Sequence, residues 1–174
     1  MKLIKTEFKD LLIYKKNTFK DNRGYFRELF LNKNINRNFP FDVMSYSRKN
    51  VLRGLHLQLK KPQGKLVTVL RGKIFDVALD CRKNSKTFGK YFSIILSERE
   101  NISLYIPEGF AHGFCSLSDN TIMHYKCTNY RHQRSETGII WNDYEINIKW
   151  PVKNPILSTK DKSNISFKNF KDIL

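Results

Sequence analysis

Metal-ligand spacings are absent from this sequence. It has four histidines, His56, His112, His124 and His132, and no two of them form a His-x-His pair. Gln58 stands where the second histidine of such a pair would follow His56, and no glutamate comes after it at ligand spacing. A metal site would have to be assembled from distant single histidines, and none is expected. The three cysteines, Cys81, Cys115 and Cys127, include no Cys-x-x-Cys. Their odd number and wide spacing suit reduced, buried thiols better than disulfides. No apolar run is long enough to cross a membrane. Residues 1–9 alternate charge with single apolar residues and lack the apolar stretch of a signal peptide, so a cytoplasmic protein is expected. Acidic residues are scarce: 16 against 32 Lys and Arg, for a formal charge of +16. Such a field attracts polyanions. The cations are scattered, however, so a small phosphate-bearing ligand is a better expectation than nucleic acid. No phosphate loop, nucleophile elbow or Rossmann fingerprint occurs.

What is present is a globular composition, 40% hydrophobic and 13% aromatic, in a chain whose length fits one domain over residues 1–174. Helical periodicity is rare, and short alternating runs recur about every ten residues. In residues 73–81, Phe75, Val77, Leu79 and Cys81 share one face, with Asp76 and Asp80 on the other. Residues 65–70 form an aliphatic run closed by Arg71-Gly72, and the two runs read as a hairpin. Further strands are expected at 91–96, 102–106, 113–117, 121–127 and 145–150. The tail, 163–174, suggests one or two amphipathic helical turns through Ile165, Phe170 and Ile173. This pattern predicts an all-β double-sheet jelly roll.

His56 is the best candidate base, because imidazole titrates nearest neutrality. Its blander role is a satisfied core histidine. Arg53, Lys65 and Asp76 argue for a lined cavity, since strongly polar groups repeat on strands that should build the core. Alternation puts Met123, Tyr125 and Cys127 inward and turns His124 out to solvent. Tyr125 is either a catalytic phenol or a core tyrosine with one partner. Residues 21–26 read as a turn entering an aromatic strand, where Arg23 is a phosphate clamp or a surface arginine. Glycines and a proline around His112 suggest a tight loop or a site-lining loop.

Together these segments resemble the dTDP-4-dehydrorhamnose 3,5-epimerase family. The resemblance lies in Val51-Leu52-Arg53-Gly54-Leu55-His56, Gln63-Gly64-Lys65-Leu66-Val67, Phe75-Asp76-Val77-Ala78, residues 106–114, Tyr125-Lys126-Cys127-Thr128, Trp141-Asn142-Asp143 and residues 155–161. It runs in order from about residue 5 to about residue 165. It implies a cupin-like, cofactor-free jelly roll that forms a homodimer with exchanged N-terminal strands and takes a nucleotide-diphosphate sugar. By resemblance His56 is the base and Asp161 its partner. Tyr125 supplies a proton from the other face of the sugar, and Lys65 stabilises an enolate. Arg23 and Arg53 meet the pyrophosphate, and Phe26 and Glu28 help bind the nucleotide from the exchanged strand. Gln58, His112, Arg131 and Glu136 complete the candidate substrate-binding set.

The residue types suit inversion beside a ketone. A C4 carbonyl acidifies the hydrogens at C3 and C5, because either carbanion becomes an enolate. Asp161 would fix the His56 tautomer, Lys65 would face the developing oxyanion, and a phenol of ordinary pKa near 10 stays protonated as the acid. Three positions depart from the family. Arg131 replaces a common tyrosine, while Phe41 and Val43 replace a Gln-x-Asn in the substrate pocket. The expected activity is epimerisation at C3 and C5 of a 4-keto-6-deoxy sugar. Inversion at C3 alone, another nucleotide sugar, 3,4-ketoisomerisation and a non-catalytic module that binds a sugar, a nucleotide or nucleic acid remain alternatives at this point.

Overall fold

The fold is described from a computed structural model that covers residues 2–174, without the side chain of Asn34; Met1, part of the N-terminal reading above, lies outside the described residues. Its strands are β1 (Lys2–Lys5), β2 (Leu12–Lys15), β3 (Thr18–Asp21), β4 (Gly24–Arg27), β5 (Phe41–Ser47), β6 (Leu52–Gln58) and β7 (Lys65–Arg71). They continue as β8 (Lys73–Asp80), β9 (Tyr91–Ser97), β10 (Ile102–Ile106), β11 (Phe110–Ser116), β12 (Thr121–Cys127) and β13 (Glu136–Gly138). Two short helices follow, α1 (Thr159–Lys162) and α2 (Phe167–Asp172). One sheet has the order β1-β2-β10-β7-β12-β5 and the other β13-β6-β11-β8-β9, while β3 and β4 form a separate hairpin. This is the expected jelly roll.

The strands alternate, yet both faces of the central ones are buried. Val67, Val69, Ile74, Ala78, Leu104, Phe110, Phe114 and Met123 fill the space between the sheets. On the outer face of the five-stranded sheet, Leu55, Leu57, Val77, Leu79 and Ala111 are covered by Ile139, Ile146, Ile148, Phe167 and Phe170 of the C-terminal segment. Phe30 and Phe39 pack over Tyr14, Leu66 and Tyr105 on the other sheet. The three cysteines are free and buried. Burial pushes the Cys81 thiol up to about 12 and that of Cys115 to about 11, which makes both poor nucleophiles.

Several expectations need correction. Residues 65–70 and 73–81 do not form a hairpin: β7 pairs with β10 and β12, and β8 with β9 and β11. Arg71-Gly72 instead carries the chain from one sheet to the other. Gly72 has φ +85°, and a Cβ there would lie 2.6 Å from the hydroxyls of Ser118 and Thr121. Residues 145–150 form no strand. The Asp143 carboxylate accepts the amides of Glu145 and Ile146 at 2.9 and 3.2 Å and winds the segment into a turn. The alternation seen there serves Ile146 and Ile148, which cap the sheet from outside. His112 lies in β11, not in a loop, since the strand starts at Phe110. The tail does form a helix, but Phe167 and Phe170 are its buried residues and Ile173 is exposed.

Asp80 pins the turn after β8. Its fully buried carboxylate accepts from the Arg82 amide, Nε and Nη2 at 3.0, 2.9 and 2.7 Å, and from the hydroxyls of Ser85 and Thr87, both at 2.6 Å. Burial opposes ionisation, and these donors outweigh it, holding the carboxyl below its ordinary range. Asp80→Ala strands Arg82 and is expected to cost about 3–5 kcal/mol in urea unfolding at neutral pH. The carboxylate's contribution is complete above the unfolded Asp value of about 3.9 and is lost as pH falls through the lower folded value. Unfolding curves below pH about 4 should therefore steepen in pH for the wild type relative to Asp80→Asn.

Candidate active site

One cavity of about 390 Å³ opens between the sheets, lined by His56, Lys65, His112, Tyr125, Arg53 and Asp161 among others. Lys65, His112 and Tyr125 reach it by the alternation that fills the core, and Asp161 enters from α1. Lys65 shares the face of Val67 and Val69 on β7, Tyr125 that of Met123 on β12, and His112 that of Phe110 and Phe114 on β11. Arg53 and His56 are three residues apart, and an unbroken strand would point them to opposite sides. The pairing of β6 with β11 slips here: His112 faces His56, but Phe114 faces Arg53. The extra residue is a bulge at Gly54, and it brings both side chains to the cavity. Gly54 has φ +119°, and a Cβ there would lie 2.5 Å from the Gly113 Cα. No side chain fits between the two strands.

His56 Nε2 lies 2.6 Å from Asp161 Oδ1. The carboxylate is buried, receives the Ser158 hydroxyl on its other oxygen at 2.7 Å and sits 3.3 Å from the Gly54 amide. Ser158 also caps α1 by accepting the Asp161 amide at 3.1 Å. Burial would raise the Asp161 carboxyl, but the bonds from His56 and Ser158 hold it below the ordinary range. A carboxylate fixed in this way orients the ring and favours the tautomer protonated at Nε2, which leaves Nδ1 as the basic nitrogen.

A second dyad stands beside the first. His112 Nε2 lies 2.9 Å from Asp76 Oδ2, both groups are buried, and Asp76 Oδ1 has no hydrogen-bond partner. Asp76 is fully buried and does not itself line the cavity; this polar residue on a core strand acts there only through its partner His112. The Tyr125 hydroxyl bonds Ser45 Oγ at 2.9 Å. Burial pushes this phenol well above its ordinary pKa, the Ser45 bond opposes the rise, and the charge of Asp76 adds to it. Desolvation lowers the Lys65 ammonium, and the nearby Cys127 and Glu136 resist that shift. Among the described residues Lys65 donates no hydrogen bond.

At the mouth, Glu136 on β13 joins two cations, Arg131 Nη2 at 2.9 Å and Lys160 Nζ at 2.8 Å. Burial opposes its ionisation, but these partners hold the carboxyl below its usual range. Arg53 is held by Ser47 Oγ at 3.1 Å and the Tyr46 carbonyl at 2.9 Å. Four cations, Arg53, Lys65, Arg131 and Lys160, thus line a cavity whose carboxylates are paired. That charge balance suits an anion. A larger cleft of about 570 Å³ lies along Arg82 to Thr87. It holds neither histidine nor tyrosine, and its Arg82 is committed to Asp80.

The structure gathers most, but not all, of the candidates. Gln58 is buried outside the main cavity and spends its amide on the carbonyls of Lys61 and Tyr130 and the amide of His132. It borders a small adjoining cavity of about 120 Å³ instead. Arg23 and Phe26 are exposed on the β3–β4 hairpin, away from this chain's cavity, and Arg23 pairs with Asp21 at 2.6 Å. Glu28, just beyond the hairpin, also lies outside the cavity, with Oε2 unpartnered. His124 is half-buried, not solvent-exposed as expected, and faces Asp42 at 3.4 Å. Two further lining residues, Ser45 and Lys160, escape the sequence pattern. Ser45 carries no sequence signal of its own, whereas Lys160 stands beside Asp161 in the tail motif. Phe41 lies outside the cavity, and Val43 lines it beside Met44.

A carboxylate-held imidazole and a protonated phenol in one cavity can remove and return protons, and an unpaired ammonium can hold a developing oxyanion. Known proteins share this fold. The family model described as dTDP-4-dehydrorhamnose 3,5-epimerase matches residues 5–169. A protein of that name from Shigella flexneri is 49% identical over 174 residues, covering 96% of each chain. One from Methanothermobacter thermautotrophicus is 45% identical, covering 93% of this chain and 92% of its own. A dTDP-6-deoxy-D-glucose-3,5-epimerase from Legionella pneumophila, solved with dTDP-4-keto-L-rhamnose, superposes with a TM-score of 0.92 at 41% identity over 96% of this chain and 93% of that one. The chain therefore belongs to the dTDP-4-dehydrorhamnose 3,5-epimerase family, a family of isomerases.

Proposed function

We propose that the protein inverts C3 and C5 of a dTDP-linked 4-keto-6-deoxy sugar, without a cofactor, through an enolate at each centre. The observation that carries this reading is the convergence of His56–Asp161, Tyr125 and Lys65 on one cavity. His56 takes the proton beside the ketone, and Asp161 stabilises the imidazolium that forms. Lys65 faces the carbonyl oxygen as negative charge builds there. Tyr125 delivers a proton to the opposite face, which inversion requires. Its raised pKa favours this role, because the phenol stays protonated until the enolate needs it. Arg53, Arg131 and Lys160 meet the diphosphate, and His112 contacts the sugar. The names of the relatives support the substrate and the two centres.

The same proposal includes a second copy of the chain. The β3–β4 hairpin exposes Phe19, Tyr25 and Phe26, the last at 71% of its surface. So large an apolar group in the open suits burial against another subunit. There it would place Arg23, Phe26 and Glu28 at the partner's nucleotide.

Incubation with dTDP-4-keto-6-deoxyglucose in D2O, read by NMR, tests the reaction directly. Deuterium is expected at both C3 and C5, and label at C3 alone would restrict the enzyme to one centre. His56→Asn is expected to lower turnover by roughly 10³-fold while nucleotide-sugar binding persists; an active variant would remove His56 from the role of base. Tyr125→Phe should still exchange a C3 or C5 proton with solvent but invert poorly. Equal loss of exchange and inversion would contradict the division of labour between the two groups.

A further inference from the structure

Inverting two carbons in succession uses each proton carrier twice. In one inversion the base gains the carbon's proton. The Tyr125 O–H bond then breaks, its electron pair stays on oxygen, and its proton forms the new C–H bond. His56 is left charged and Tyr125 is left as a phenolate. Neither can act on the second carbon until both have been reset.

The surroundings of Tyr125 limit how that reset occurs. Burial and the charge of Asp76 make a phenolate costly at this position, so it draws a proton from any donor within reach. His112 stands edge-on to the ring, 6.2 Å between centroids, but its Nε2 is committed to Asp76. The guanidinium of Arg53 is held by Ser47 and Tyr46. The hydroxyl in contact with the phenol is that of Ser45, at 2.9 Å. A serine hydroxyl can donate and accept at once. Ser45 is half-buried on β5, the outermost strand of its sheet, and its neighbours Val43 and Met44 are 37% and 65% exposed. Tyr125 and Ser45 are both partly buried and line the same cavity, which places the Ser45 hydroxyl between the phenol and water there.

Resting on the epimerase reading above, we propose that Ser45 reloads Tyr125 with a proton after each inversion, and that this step decides whether one or two centres are inverted before the sugar leaves. The Ser45 O–H proton passes to the phenolate, and Ser45 takes a proton from water at the rim. His56 returns its proton to water. One proton enters and one departs per centre, and nothing is oxidised or reduced. Ser45 acts through Tyr125 and is a positioning and relay residue.

Ser45→Ala and Ser45→Val both remove the hydroxyl, and the second keeps a strand-favouring side chain should the first fail to fold. Each is compared with wild type and Ser45→Thr on dTDP-4-keto-6-deoxyglucose, with NMR following singly and doubly inverted sugar over time. Without the hydroxyl, turnover should fall about tenfold, as for one lost hydrogen bond. The singly inverted sugar should accumulate before the doubly inverted one, and Ser45→Thr should restore the wild-type ratio. An unchanged ratio of the two products in the hydroxyl-free variants overturns the relay, even where the overall rate drops. A wild type that inverts one centre only also overturns it, while the epimerase reading stands. A wild type that inverts neither centre overturns the epimerase reading itself.

Discussion

The contact between His56 and Asp161 is the interaction on which the cavity depends. Its two residues lie 105 positions apart in the chain, on the sixth strand and in the C-terminal tail. The tail reaches β6 because its backbone pairs with the body of the protein on either side of the aspartate. Ile156 exchanges hydrogen bonds with Asn50 and Leu52, and Ile165 with Gly138 and Ile140. Between these anchors Ser158 caps a single helical turn that aims the carboxylate inward. Phe167 and Phe170 then bury the chain end against the outer face of the same sheet. The hydrophobic packing of the tail and the orientation of the imidazole are thus one construction.

A jelly roll this small has little interior to spare for polar groups. It accommodates them by pairing. Asp76 has His112, Asp161 has His56 and Ser158, Tyr125 has Ser45, and Glu136 has two cations. Among the described residues, those left uncommitted in and beside the cavity are few: the Lys65 ammonium, one oxygen of Asp76 and the second nitrogens of His56 and His112. Buried polar groups without partners are costly. Their gathering in and beside one cavity, between sheets otherwise closed by Val, Ile, Leu and Phe, is what separates a reactive cavity from a packed core.

Much of this was legible in the sequence. Period-two alternation located β9, β10 and β12 within one residue and β11 within three, although every residue of β11 is buried. It failed at residues 145–150, where Ile146 and Ile148 alternate for burial while Asp143 takes the backbone amides that a strand would need. It failed again at Gly72, where a turn signal looks the same whether it joins paired strands or links two sheets. His56, Lys65, Asp76 and Tyr125 were visible as polar residues on core strands. Ser45 was not, since a serine among alternating residues is common and its meaning depends on the phenol across the sheet. The placing of Arg23, Phe26 and Glu28 outside their own chain's cavity has no local signal either, because it is a matter of topology.

The bulge at Gly54 has a consequence for how this strand can vary. Because one additional residue sets the phase between Arg53 and His56, the cationic anchor and the imidazole share a wall only while that count is kept. Of the two residues between them, Gly54 admits no side chain and Leu55 is fully buried. Gain or loss of a single residue between them would rotate the imidazole into the oily layer beneath the C-terminal helix, and Asp161 would be left facing nothing. Divergence between Arg53 and His56 is therefore closed to changes in length as well as to any side chain at Gly54.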